Sequence, residues 1–253
     1  MARAPLWAPP LLAVQFLTRL PVPWLARLDA AQAEDGLARA MAWLPPVGTL
    51  IGLVTAGVFA MAQIWWPPVI AALFALAVEA LLTGAFHEDA VADFCDAFGG
   101  TAHGDRALAI MRDSRIGSYG ALGLGLAVAL RLAAIVALPP ALAMAAIVAA
   151  ATVARLWAVL LATILPPVAA GLAARMGGVP WRRTLAAVVL TLPGMLPLLW
   201  RAPSVVLVHG AIGIVFLWWL RRFLRARIGG STGDCLGFAA YMGQVALLLV
   251  AAA

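Results

Sequence analysis

The stretch Phe86–Tyr119, FHEDAVADFCDAFGGTAHGDRALAIMRDSRIGSY, stands between two long apolar runs, Val69–Ala85 before it and Gly117–Ala137 at its end. It holds Glu88, Asp89, Asp93, Asp96, Asp105 and Asp113, six of the eleven acidic residues in the chain. An acid left at the centre of a bilayer costs roughly 2.5–3.5 kcal/mol on insertion scales, so acids beside apolar spans are functional or stand outside the hydrocarbon. The contrast sets the fold class: apolar runs that cross a membrane, and one polar stretch, read as the site, held at its surface.

Composition supports that reading over the full length. The chain has 253 residues, 65% of them hydrophobic and 11% charged, with a mean hydropathy of +1.02. Soluble domains carry about 25% charged residues, and a soluble protein of this length needs more polar surface than this chain supplies. The expected fold is all-α: a polytopic integral membrane helix bundle of about seven transmembrane helices plus an N-terminal interfacial or re-entrant segment, in a single membrane-embedded domain over 1–253 without internal repeats. All 17 basic residues are Arg, whose planar fork suits phosphate oxygens. Cys95 and Cys235 lie in polar segments read as cytoplasmic, so no disulfide is expected, and neither has metal-ligand spacing.

Toward the N-terminus, Val69–Ala85 is a span and Trp65-Trp66-Pro67-Pro68 an aromatic anchor followed by a turn. Met41–Ile64 is the span before it. Residues 1–40 are broken by Pro9, Pro10, Pro21 and Pro23 and are not read as a cleavable signal; Leu11–Leu20 is too short to cross about 30 Å of hydrocarbon. Toward the C-terminus, Gly117–Ala137 opens with Gly117, Gly120, Gly123 and Gly125, a series that permits close helix contact. Further spans are expected at Ala141–Leu165, Thr184–Trp200, Ser204–Leu220 and from Leu236 onward, with polar connections at Arg175–Arg183 and Arg221–Asp234. A cytoplasmic N-terminus then puts nearly every Arg on the cytoplasmic side, leaves Arg201 outside, and places Arg131 and Arg155 within spans. The acidic stretch, Thr18-Arg19 and Gly229–Asp234 share the cytoplasmic face.

Continued as a helix, Ala85–Phe98 carries Asp89, Asp93 and Asp96 at i, i+4 and i+7 on one face. Two carboxylates about 6 Å apart repel by roughly 3 kcal/mol at an effective dielectric near 20, so this stripe needs a counter-charge. A hard divalent cation is one answer, Mg²⁺ taking one or two carboxylates plus substrate phosphate. A solvated face paired with Arg106, Arg112 and Arg115 is the other. His87 and Glu88 point elsewhere on an ideal helix, and a bend at the membrane surface would bring them in. Arg112 and Arg115 flank Asp113 and Ser114, either as a phosphate clamp at a glycine-rich helix start or as the positive flank of a span. Gly229–Asp234, GGSTGD, joins glycines to Ser231, Thr232 and Asp234, either as an ion or phosphate concavity or as a turn capping a helix. His103 reads as a loop residue and His209 as a hydrogen-bonded buried imidazole. The Arg221–Arg227 cluster reads as an orientation determinant touching anionic membrane lipid. Without a groove-reading motif, nucleic acid is not an expected partner.

At these residues the chain resembles the cobalamin synthase family of adenosylcobinamide-GDP ribazoletransferases, integral membrane enzymes of vitamin B12 assembly. The resemblance covers nearly the whole chain. It rests on QFLTRLPVP (Gln15–Pro23), Pro45-Pro46-Val47-Gly48, TGAFHEDAVADFCDAFGG (Thr83–Gly100), RALAIMRDSRIGSYGALGL (Arg106–Leu124) and GGSTGDCLG (Gly229–Gly237). One departure is Ala90, where members commonly carry Gly after the H-x-D triplet. The resemblance implies a phosphoryl transfer that joins α-ribazole, or its 5′-phosphate, to adenosylcobinamide-GDP, releasing GMP. It implies a Mg²⁺ cofactor on Asp89, Asp93 and Asp96 with Glu88 and Asp234; phosphate and substrate binding by Arg19, Arg112, Ser114, Arg115 and Thr232; and Asp113, an unligated cluster carboxylate or His87 as proton acceptor. The implied location is the bacterial inner membrane with the site facing the cytoplasm. Expected partners are the two substrates, membrane lipid, further copies of the chain and other membrane-bound enzymes of the same pathway.

Two other classes are weighed. A cation transporter needs charged residues near mid-membrane in broken helices, and Glu79, Arg131, Arg155 and His209 read as scattered. A CDP-alcohol phosphotransferase of lipid synthesis also uses an aspartate cluster, but its D-G-x-x-A-R pattern followed by spaced aspartates is not matched by Asp89–Asp93.

Overall fold

The computed structural model describes residues 3–168 and 178–253, so Arg175 lies outside the described residues. These residues form eleven α-helices, with 3₁₀ turns at Pro23–Arg27 and Met41–Trp43 and one isolated bridge between Pro167 and Ser231. Six helical segments are long and apolar enough to cross a membrane, and one bent pair makes a seventh when taken together. The protein is an all-α, multi-pass membrane helix bundle.

α1 (Ala8–Leu17) opens with prolines in its first turn, where their missing N–H groups cost nothing, and stops at Thr18. Its ten residues rise only about 15 Å, too few for a crossing. α2 (Ala30–Ala40) begins with a reciprocal cap between Asp29 and Gln32. Asp35 accepts from the Ala4 N–H at 2.9 Å, Arg39 donates to the Ala4 carbonyl at 3.1 Å, and Arg183 donates to the Ala38 carbonyl at 2.9 Å. The N-terminal pair is thereby tied to the bundle.

α3 (Leu44–Ala62) packs on α8 (Pro140–Ile164), the most enclosed span. Lipid tails are as apolar as the helices, so the contact is held by close packing. A Cβ on Gly48 would lie 2.4 Å from the Ala151 carbonyl oxygen, and one on Gly52 would lie 2.8 Å from the Val148 backbone. Thr49 and Thr152 hydrogen bond across the same interface at 2.9 Å. α9 (Trp181–Arg201), α10 (Pro203–Ile228) and α11 (Gly233–Ala252) complete the bundle. Arg221–Ile228 continues α10 as helix instead of forming the expected polar connection.

The second span departs most from expectation. α4 (Pro68–Thr83) has 16 residues, about 24 Å, and bends by 89° into α5 (Phe86–Phe98). Gly84 (φ 72°) and Ala85 (φ 55°) make the corner in left-handed conformations. Arg19 donates its backbone N–H to the Leu82 carbonyl at 2.8 Å, and Phe16 meets Phe86 edge-on at 5.3 Å, so α1 braces the bend. α5 then runs antiparallel along α7 (Ser118–Ala137): Glu88 lies near Arg131, Cys95 against Gly123 and Asp96 against Gly120. On its other side Phe94 stacks on Phe238 of α11 at 3.7 Å, and a Cβ on Gly237 would lie 2.5 Å from that of Ala90. The acidic stretch thus begins inside the helix bundle, where the sequence reading had placed all of it at the surface. Gly117, Gly120 and Gly123 admit α5, whereas Gly125 meets nothing within 4 Å.

Candidate active site

The helix expected over the acidic stretch is present, and its spacing turns Asp89, Asp93 and Asp96 toward one side, with Asp89 exposed and Asp93 half-buried. The first turn of α11 brings Asp234 up to this face. The charged neighbours of Asp93 are Asp89, Asp234 and Asp96, and Asp234 in turn faces Asp89. Among the described residues no basic group lies in ion-pair contact with Asp89, Asp93 or Asp234. Nor does any group of three or more His, Cys, Asp or Glu side chains close to metal-binding distance. The Asp89/Asp93 pair nevertheless has the chemistry that Mg²⁺ accepts when substrate phosphates and water supply its other oxygens.

Asp96 and Glu88 are engaged elsewhere. Asp96 accepts from the N–H groups of Gly117 at 2.6 Å and Gly120 at 2.8 Å, capping α7 from another helix. Glu88 turns toward Arg131, 3.8 Å away, off the Asp89–Asp93 face. In the loop that Asp96 anchors, Arg112, Ser114 and Arg115 are exposed. Arg115 grips Asp113 through Nε at 2.9 Å and a terminal nitrogen at 2.6 Å, which holds the Asp113 carboxyl down at about 2. A carboxylate so held has little tendency to take up a proton at neutral pH.

The Gly229–Asp234 turn is built by Gly229 (φ 83°), which ends α10, and by Ser231, which pairs with Pro166 and Val168 at 2.9 and 3.0 Å. Thr232 is buried and its hydroxyl oxygen caps α11 by accepting from the Cys235 N–H. Of the expected concavity, Asp234 alone reaches the acidic face. Arg19 is exposed and lies over the α4–α5 corner: a Cβ on Gly84 would sit 2.4 Å from its Nε. His87 is buried on the opposite side of α5, with Arg155 and Arg131 as its charged neighbours. His103 bonds within its own loop, and His209 bonds the Gly243 carbonyl at 3.1 Å while stacking on Trp157, as expected of a buried imidazole.

The polar group that sequence reading missed lies beneath this face. Glu79 and Arg131, read as scattered, meet beside Glu88 of α5, and Arg155 is a further charged neighbour of Glu79. Glu79 pairs with Arg131 and accepts from Thr55 at 3.0 Å and Gln244 at 3.1 Å. Arg131 also lies over the Tyr241 ring. The available signal was an acid and two arginines inside apolar runs, which are costly there unless paired.

The chain matches the family model described as cobalamin-5-phosphate synthase over residues 9–252. It is 39% identical to the adenosylcobinamide-GDP ribazoletransferase of Bradyrhizobium diazoefficiens, over 96% of this chain and 92% of that protein. It is also 39% identical to the protein of that name in Azorhizobium caulinodans, over 94% and 92% of the two chains, and 35% identical to that of Vibrio vulnificus, over 94% and 93%. No solved structure matches. With the match running through the acidic helix, the arginine loop and the Gly229–Asp234 turn alike, the chain belongs to the cobalamin-5-phosphate synthase family.

Proposed function

We propose that this protein is an adenosylcobinamide-GDP ribazoletransferase, joining α-ribazole or its 5′-phosphate to adenosylcobinamide-GDP with release of GMP. Family membership along nearly the whole chain carries the reading. A ribazole hydroxyl oxygen attacks the phosphorus that bears the cobinamide. The bond from that phosphorus to the bridging oxygen breaks, and GMP leaves with the oxygen. Asp89 and Asp93, with Asp234 opposite, are the residues that would hold Mg²⁺, and the ion supplies neutralisation of the diphosphate. Arg19, Arg112 and Arg115 bind phosphate oxygens as they enter from the exposed side, with Ser114 beside them. The hydroxyl proton passes to a carboxylate of the Asp89–Asp93–Asp234 face, in preference to Asp113, whose oxygens Arg115 occupies. Asp96 positions the arginine loop.

The positive-inside pattern supports a bacterial inner-membrane location with this face toward the cytoplasm. The Arg221–Arg227 end of α10 is the natural contact for anionic lipid, and further copies of the chain or other membrane-bound enzymes of the pathway are its expected neighbours. The transporter reading finds its broken helix and buried charges, but Glu79 is fully engaged and the family match does not favour transport.

The test is GMP release by detergent-purified protein from adenosylcobinamide-GDP and α-ribazole 5′-phosphate, with Mg²⁺ or with EDTA. Release that requires both substrates and Mg²⁺, and that falls about a hundredfold or more in Asp89→Asn, is expected. Full activity in EDTA would remove the metal. GMP release that ignores the ribazole would remove the transferase.

A further inference from the structure

The bundle carries a groove at the end away from the acidic face. The turn that holds Asp234 pairs with Pro166, just past the C-terminus of α8, whereas the groove lies against Ala141 and Ala145 in the first turns of that helix. α8, with 25 residues and a rise of about 37 Å, separates the two. The groove has a volume of about 360 Å³. α3 lines it from Leu53 to Ala60, a rise of about 10 Å, and Pro197 and Arg201 of α9 form the third wall. Gly57 keeps it open, since a Cβ there would meet nothing within 4 Å. Every lining side chain is apolar except that of Arg201.

Arg201 closes α9 at the outer end of this groove. It is exposed, and its bond among the described residues goes to the Pro197 carbonyl of its own helix at 3.3 Å. The walls offer it no acid: the chain has none between Asp35 and Glu79 or between Asp113 and Asp234, ranges that contain α3, α8 and α9 in full. Its counter-ion must therefore come from outside the protein. Trp200 beside it and Trp65-Trp66 just past α3 are exposed, and aromatic residues in such positions mark the headgroup level of a bilayer. A guanidinium at that level meets lipid phosphates, whose oxygens match its planar fork. The apolar groove running inward from it lies at the depth of the acyl chains, where close packing against small side chains is what holds one tail in preference to another.

We propose that the groove between α3, α8 and α9 is a binding site for one anionic phospholipid of the leaflet opposite the acidic face, with an acyl chain along Gly57 and the headgroup phosphate on Arg201. It is separate from the Arg221–Arg227 end of α10, which meets the other leaflet, and it stands whether or not the ribazoletransferase reading does. The lipid fills the seam between three spans and supplies the charge that none of them carries.

The experiment uses the full chain in detergent with phosphatidylglycerol that carries a photoreactive diazirine in one acyl chain. After irradiation the adducts are located by peptide mass spectrometry, which separates the groove from the arginine end of α10. Saturable adducts are expected on the α3 and α8 peptides that line the groove, competed several-fold better by unlabelled phosphatidylglycerol than by phosphatidylcholine with the same tails. Arg201→Gln is expected to weaken competition by phosphatidylglycerol about fivefold and to leave that by phosphatidylcholine unchanged. Gly57→Phe, and Ala141→Phe from the facing wall, fill the groove and are expected to reduce these adducts about tenfold without changing those on α10. Equal competition by the two lipids in wild type, or unsaturable labelling all around the bundle, would reduce the groove to ordinary lipid contact and overturn the proposal. Wild-type labelling in Arg201→Gln or in a groove-filling variant that folds would do the same. If wild type shows no groove adducts and is a dimer that Gly57→Phe makes monomeric, a second copy of the chain occupies the groove instead.

Discussion

Asp96 gives each of its two oxygens to a backbone N–H at the start of α7, and that start carries the arginine loop. Loss of a cap costs about 1–2 kcal/mol, so Asp96→Ala is expected to lower the unfolding temperature in detergent, with Asp96→Asn retaining part of the effect. Activity should fall in Asp96→Ala with Mg²⁺ dependence unchanged; a shifted Mg²⁺ requirement would return Asp96 to the metal. Asp113 gives a different test. Its folded carboxyl is held at about 2 against an ordinary 3.8, so whatever stability this adds is present above the ordinary value and lost as the pH falls through about 2. No titration of Asp113 is therefore expected between about pH 5 and pH 9. Asp113→Asn should leave the shape of the pH–rate profile in that window unchanged, and a displaced acidic limb would make Asp113 the proton acceptor. The i, i+4, i+7 spacing made the Asp89–Asp93–Asp96 face readable from sequence. The cap was not, because Asp96 meets its partners 21 and 24 residues away in a loop whose path sequence does not fix.

At the level of helices, the α4–α5 corner depends on two left-handed residues, and only Gly84 announces itself; Ala85 is a poor sequence signal for a turn. Hydropathy therefore read a continuous passage to a surface stretch. The buried network escaped for a related reason: Thr55, Arg131 and Gln244 reach Glu79 across 24, 52 and 165 residues. Removing one member of such a pair leaves a charge alone. Arg131→Met is expected to destabilise the protein by about 3–5 kcal/mol, and the double change Glu79→Leu with Arg131→Met to recover most of it. Equal unfolding temperatures for the single and double variants would show that the network does not hold the corner.

Over the whole molecule, the span positions followed from composition within a few residues, apart from the bent α4–α5 pair and the extended end of α10, since every crossing helix must be long and apolar whatever it packs against. Sidedness can be checked directly. In a chain with Cys95 and Cys235 replaced by Ala, Ser114→Cys is expected to react with a membrane-impermeant maleimide only from the cytoplasmic side, and Trp66→Cys only from the other. Reaction of both from one side would overturn the topology. The approach of α5 to α11 carries one more implication. Ala90, beside the acidic face, meets Gly237 with no room for a second methyl group. The width of that contact is a shared quantity, so the two positions should behave as a covarying pair in evolution. Gly237→Ala should be damaging here yet tolerated alongside Ala90→Gly, a reciprocal exchange that moves one methyl group across the interface and leaves the distance between the helices unchanged.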